Sequence, residues 1–421
     1  MNINFQSKLI FFSSILICLI PLALISGPFI PDLFLVIITI NFLILISLNK
    51  EIYKFKNKFL FIFFAFCILI SVVSTLSLNL ISIKSSFFYF RFGLFSLAIY
   101  FFLNKNEKIF TYLTYFLIII YLLLFLDTLY QYNFGKNLIG LEYKNFNNFR
   151  ITSFFGKDEI LGSYTVRILP VLIFLIIYKY EKLSLKKIFL FNSIILVSLV
   201  IVVFSGERTS LMLYILTLFF IFISSFNLRK ILILPIILGI VILTTIIFSS
   251  EKVRQRMVFQ TINQLGLTAK SERLILFSKV YEGHYLISLK MFKEKPIFGH
   301  GAKMFRFYCI KKENFVSQNA CTTHPHNFYA QTLAETGISG FAFIISIYFF
   351  ILFLFFKNFY FQIKYKKQHI SDIGICLLSS LFVNLFPILP SGNFFNNWLS
   401  IIMYFPIGFL IYIIMNKKFY A

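Results

Sequence analysis

Residues 188–230 read IFLFNSIILVSLVIVVFSGERTSLMLYILTLFFIFISSFNLRK, and this stretch decides the kind of fold. Two apolar runs, 188–205 and 209–226, are separated by a tight turn and closed by Arg229-Lys230. A run of about 18 apolar residues can cross ~30 Å of hydrocarbon only as a helix, since water is absent and the backbone must bond to itself. The short turn makes the two helices antiparallel neighbours.

The same punctuation repeats along the chain. Hydrophobic residues make up 59 % of the sequence, and the mean hydropathy is +0.85. The expected architecture is an all-α membrane protein, one integral membrane domain over 1–421. Twelve spans are expected near 9–26, 31–48, 58–76, 87–103, 109–127, 161–178, 188–205, 209–226, 231–249, 336–356, 373–390 and 398–415. The first run follows Lys8 and is read as a span, not a cleaved signal, because it is long and a second span begins at once.

Turns after the even-numbered spans carry clusters such as Lys50/Lys54/Lys56/Lys58, Lys182/Lys186/Lys187 and Lys364/Lys366/Lys367. By the positive-inside rule these turns and both termini face the cytoplasm. The formal charge of +24 therefore sits between spans, which excludes nucleic acid as the expected partner. Part of the lysine excess accompanies a general enrichment in Phe, Ile, Lys and Asn, a pattern of codon bias.

Two long connections face outward, about 128–160 and about 250–335. The second is basic, with arginine used beside lysine, and arginine grips phosphate bidentately. From Ala269 to Lys293 its apolar residues recur at helical spacing, which predicts an amphipathic helix along the membrane surface. Pro296 and Gly299-x-Gly301 end it. Cys309 and Cys321 come next. A disulfide between them is expected in an oxidising compartment; free thiols remain open. A zinc site with His324 and His326 is disfavoured, because the spacing fits no standard finger and the two rings are expected to diverge.

Asn327 to Gly337 reads as a three-turn helix with Asn327, Gln331 and Glu335 on one polar stripe and Gly337 at its C-terminal end. His326 then precedes the helix N-terminus, where the dipole favours a neutral imidazole and a nearby anion. Three other arginines converge on the same face: Arg150 before a span, Arg208 in the turn of the opening stretch, and Arg273 at the start of the surface helix. Arg91 and Arg167 lie within spans near that face, and an arginine inside a membrane is a functional candidate. Together these five suit a diphosphate headgroup. No phosphate-binding glycine loop or Asp-x-Asp metal motif accompanies them, so neither a cofactor nor a metal is expected.

The segments now assembled, "HPHNFYAQTLAETGISG", "SERLILFSK…KPIFGHG", "GERTSL" and "RITSFFGKDEILGSY", resemble those of the O-antigen ligase and polymerase family of bacterial polytopic glycosyltransferases, over roughly 145–345. The resemblance implies a metal-independent, inverting transfer at the periplasmic face of the inner membrane. The donor it implies is an undecaprenyl-diphosphate-linked glycan and the acceptor lipid A-core, with joining of repeat units as the alternative. It assigns His326 as base or acceptor-positioning residue and Arg208 and Arg273 to the diphosphate. Asn327, Arg150, Arg167 and Arg91 join them as expected binding residues, with Glu335, Gly337 and Gly340 in support. A lipid-glycan transporter, the reading from another class, fits poorly: no internal repeat is visible and the ionisable residues crowd one face.

Overall fold

The computed structural model describes residues 3–50, 58–142, 149–179, 184–267, 278–317 and 319–421. The first half is a series of helices: α1 (Ile3–Ala23), α2 (Phe29–Leu48), α3 (Lys58–Thr75), α4 (Leu80–Phe87), α5 (Phe90–Lys105), α6 (Lys108–Phe134), α7 (Leu161–Lys179), α8 (Leu185–Phe204), α9 (Arg208–Ser224) and α10 (Phe226–Ser249). Shorter elements follow: α11 (Glu251–Arg254), a π-helical turn at Gln255–Phe259, α12 (Gln260–Gln264), α13 (Lys279–Glu294) and α14 (Phe305–Tyr308). The chain closes with α15 (Phe328–Tyr365), α16 (Asp372–Asn384) and α17 (Asn397–Met415). Among the described residues there is no strand, only isolated bridges at Lys136–Glu142 and Ile370–Tyr420.

Nine of the described helices are long and apolar enough to cross a membrane, and three more, at Phe59–Thr75, Arg208–Ser224 and Asp372–Asn384, are apolar but shorter. Each expected span overlaps one of these twelve. The run expected at 373–390 is cut short: α16 stops at Asn384, because Pro387 and Pro390 lack the amide a helix needs and disfavour helical geometry before them. The non-helical segment so created, 385–396, matters for the site.

Packing of α5 on α17 and of α7 on α16 forms the centre of the bundle, while most of α10 faces outward. Several buried hydroxyls are satisfied within their own helices; Thr114, Thr165 and Thr217 donate to the carbonyls of Phe110, Leu161 and Leu213 at 2.6, 2.8 and 2.8 Å. Large exposed apolar side chains such as Phe61 and Ile240 make the outer surface one that hydrocarbon suits and water does not.

The expected surface helix is α13 over its described part; residues 268–277, and Arg273 with them, lie outside the described residues. Its apolar side is not simply laid on a membrane. Ile287 and Met291 pack into a small core of the loop's own, with Phe305, Tyr308, Ala320 and Ala334, while Leu286 and Leu289 stay exposed.

Candidate functional site

The turn of the opening stretch fixes the start of the site. Glu207 points back onto the N-terminus of α7, accepting from the amides of Gly162 at 2.6 Å and Ser163 at 3.1 Å and from the Ser210 hydroxyl at 2.9 Å. A carboxylate there satisfies amides that have no partner within the helix and complements the helix dipole. Glycine at 162 eases this approach: a Cβ would stand 2.5 Å from the Ser205 hydroxyl oxygen and 3.0 Å from the Ser210 Cβ. Arg256, on the π-helical turn, donates from Nε to the Gly206 carbonyl at 3.1 Å and from Nη1 to Gln260 at 2.6 Å. Arg208 reaches Gln264 at 2.7 Å. Arg167, buried within α7, donates to Ser163 at 3.2 Å and to Asn384 at 2.7 Å. Arg150 pairs with Glu159. Among the described residues, Arg167, Arg208 and Arg256 have neutral hydrogen-bond partners and no carboxylate within 4.0 Å.

The histidines approach from the other side. Asn327 caps α15, its side-chain oxygen accepting from Tyr329 and Ala330 amides at 2.9 and 3.0 Å, while its Nδ2 donates to the Pro387 carbonyl at 2.7 Å. Both ends of the amide are thus engaged in holding the fold, and Asn327 does not line the cavity described below. His326, just before it, adopts φ 54°, a left-handed conformation uncommon for a residue with a side chain. The segment after α16 holds it there: the Ser391 amide donates to the His326 carbonyl at 2.9 Å and the Phe328 amide donates to the Ser391 hydroxyl at 2.9 Å. The rings of His324 and His326 do not diverge. Their centroids are 4.1 Å apart, because the chain bends through 322–326 and His326 takes a left-handed conformation. His284 stacks on His326 with centroids 5.3 Å apart and Tyr281 lies at 5.8 Å. Among the described residues no three His, Cys, Asp or Glu side chains are arranged to hold a metal ion.

The helix expected to end at Gly337 instead kinks there and continues. Gly337 has φ 64° and ψ −165° inside α15, and a Cβ on it would stand 2.4 Å from the Ile297 carbonyl oxygen. The kink frees backbone groups on both sides, and the loop at 296–301 takes them. The amides of His300 and Gly301 donate to the carbonyls of Ala334 and Glu335 at 3.3 and 2.7 Å, and the Ile338 amide donates to Pro296 at 2.8 Å. The buried Glu335 carboxylate accepts from the amides of Lys303 and Phe305 at 2.9 and 3.0 Å and from Gln331 at 2.9 Å. Gly340 is buried in the first turn beyond the kink. Cys309 and Cys321 are joined, with their Cα atoms 5.2 Å apart.

These elements enclose a cavity of about 620 Å³ lined by Arg150, Arg167, Arg208, Arg256, Glu159, Glu207, Tyr281, His324 and His326, with Pro390, Ser391 and Gly392 at its edge. Among the described residues, four guanidinium groups face two carboxylates, a surplus of two positive charges. Burial pushes the Glu207 carboxyl up to about 7 against its hydrogen bonds, so the surplus grows whenever Glu207 is protonated. Burial, then the charges of Arg150 and Arg208, lower the Arg256 guanidinium to about 10. It stays charged at neutral pH but is poorly compensated, the condition in which an anion binds well. Burial first, then His284, lowers His326 to about 4; His324 falls to about 3 through burial, His326, Arg306 and His284. Both imidazoles are neutral at pH 7.

Of the expected residues, His326, Arg208, Arg150 and Arg167 meet in this cavity. Arg91 does not: it bonds Asp32 at 3.0 Å and lines a separate space. Arg256, Tyr281, His284 and Ser391 were missed. Arg256 stood out in the sequence only as one arginine of the basic loop.

Residues 193–345 match the family model described as O-antigen ligase. No curated protein matches the chain.

Proposed function

We propose, from the match of residues 193–345 to the family model described as O-antigen ligase, that this chain transfers a glycan from a lipid-diphosphate carrier to a sugar hydroxyl. The observation that carries the proposal is the juxtaposition, around one cavity, of three arginines without carboxylate partners among the described residues and a neutral histidine. The carrier is undecaprenyl diphosphate and the acceptor lipid A-core, at the periplasmic face of the inner membrane. Support for that sidedness comes from the lysine-rich turns, including Lys179, Lys230 and Lys417, which belong to the opposite ends of the helices.

Arg208, Arg256 and Arg167 take the diphosphate, with Arg150 beside them. The acceptor hydroxyl gives its proton to the free ring nitrogen of His326 while its oxygen bonds to the anomeric carbon. The bond from that carbon to the diphosphate oxygen breaks as the new one forms, on the opposite face, so the configuration inverts. The leaving lipid diphosphate carries away the electron pair, and the guanidinium groups stabilise the charge it develops. Glu207 holds α7 and the arginine turn together; it is a positioning residue.

Arg208→Ala and Arg256→Ala test this in a reconstituted transfer assay. Each is expected to raise the donor KM by about tenfold or more, the worth of one charge-assisted contact, with the acceptor KM unchanged. Unchanged donor KM in both contradicts the diphosphate assignment. Product read on a gel as glycan on lipid A-core supports ligation; longer carrier-linked glycans point to polymerisation instead.

A further inference from the structure

A second cavity, about 370 Å³, borders the same segment as the first. Pro390, Ser391 and Gly392 edge the arginine-lined cavity, and Phe395 and Asn397, a few residues on, line this one. Three cations reach it from separate elements: Lys84 from α4, Arg91 from α5 and Lys303 from the loop braced by Glu335. Asp32 is the carboxylate in its lining, and it is already engaged, accepting from Arg91 at 3.0 Å and from the Asn397 side chain at 3.1 Å. Neither lysine has a carboxylate within 4.0 Å among the described residues.

Lys303 is placed there at some cost. Its backbone takes φ 59°, held by the bond from its amide to Glu335 at 2.9 Å. Burial, then Arg306 and Arg91, lower its ammonium, with Glu335 opposing. Like charges held together in a partly buried space, with the carboxylate of the lining, Asp32, already engaged, favour an anion. The border of the cavity is apolar: Val36 and Phe88 are among its lining residues and both are exposed on the outer surface of the bundle. An anion attached to a hydrocarbon tail satisfies both features, whereas a free anion leaves the apolar border unused.

We propose that this second cavity binds the phosphate headgroup of a membrane lipid, in a site separate from the arginine-lined cavity. Its use as the anchor for a phosphorylated lipid acceptor rests on the transfer reading above; the binding itself does not. Lys303 would also couple the two sites, since Glu335, which holds it, lies on the helical segment that begins beside His326.

The test uses the full chain in phosphatidylcholine nanodiscs with dodecyl phosphate as probe. Binding is read by isothermal titration calorimetry. Dodecyl phosphate is expected to bind saturably and at least about tenfold more tightly than inorganic phosphate. Lys84→Gln/Lys303→Gln is expected to weaken it about tenfold or more, and Lys84→Gln alone, at an exposed position, to weaken it measurably without risk to the fold. His326→Asn is expected to leave binding unchanged, so loss of transfer and loss of this site are separate results. Absence of saturable binding, equal affinity in the lysine variants, or inorganic phosphate binding as tightly as dodecyl phosphate overturns the proposal.

Discussion

His326 is neutral at physiological pH for reasons visible around its ring: it is partly buried, stacked with His284 and close to His324. In the proposed role of base, an imidazole that titrates near 4 is weak. A bound diphosphate changes that, because an anion nearby favours the imidazolium and raises the ring's pKa. The acidic limb of kcat, which reports the donor complex, is therefore expected at higher pH than the limb of kcat/KM, which reports the free enzyme near 4. Coincident limbs would place the charge elsewhere. Stability follows the same groups with a definite sign. Both folded values lie below the ordinary 6.5, so their contribution is complete above 6.5 and is lost as the pH falls toward 4 and 3. At this scale the sequence was informative about His326 and Arg208, since a helix start and a two-span turn give them local signals. Arg256 had no such signal. Its place in the cavity comes from a bond to Gly206, 50 residues away, and long-range contacts leave no trace in local spacing.

Elements explain why the quoted segments have their composition. "KPIFGHG" and "ETGISG" are two halves of one backbone joint: the kink at Gly337 releases carbonyls and amides that 296–301 then pairs. The polar stripe of Gln331 and Glu335 was legible from spacing, but its partners, Lys303, Phe305, Asn393 and Phe394, were not. A glycine after three helical turns signals a helix end, and here the chain resumes a helix at once because the next residues are the apolar run of a span. Gly337→Ala has to accept positive φ and a contact with the Ile297 carbonyl. It is expected to lower stability by more than about 1 kcal/mol, read as a lower unfolding midpoint in detergent; an unchanged midpoint would show that the joint is not under this constraint. The histidine approach depends equally on α16 ending early. Pro387 and Pro390 turn an expected span end into the segment whose Ser391 grips the His326 backbone.

Across the whole molecule, hydropathy made the helical bundle legible, because each span is a local run that must satisfy its own backbone. Which helices occupy the centre was not legible: α5, α7, α16 and α17 are no more apolar in sequence than the peripheral α10. The bundle sets two cavities side by side along the segment 390–397, one rich in arginine and one in lysine, with the histidines beside the first. That layout suits a reaction between two lipid-borne substrates that each stay in the membrane while their polar ends meet. The most direct measurement of the account is glycan transfer from a lipid-diphosphate donor by His326→Asn, compared with the unaltered chain at equal amounts in the membrane. Asparagine tolerates the left-handed backbone at this position and cannot act as the base. Transfer is expected to fall by about 10²–10⁴-fold, with donor binding retained. Transfer within a few-fold of the unaltered chain would contradict the assignment of His326 as the base.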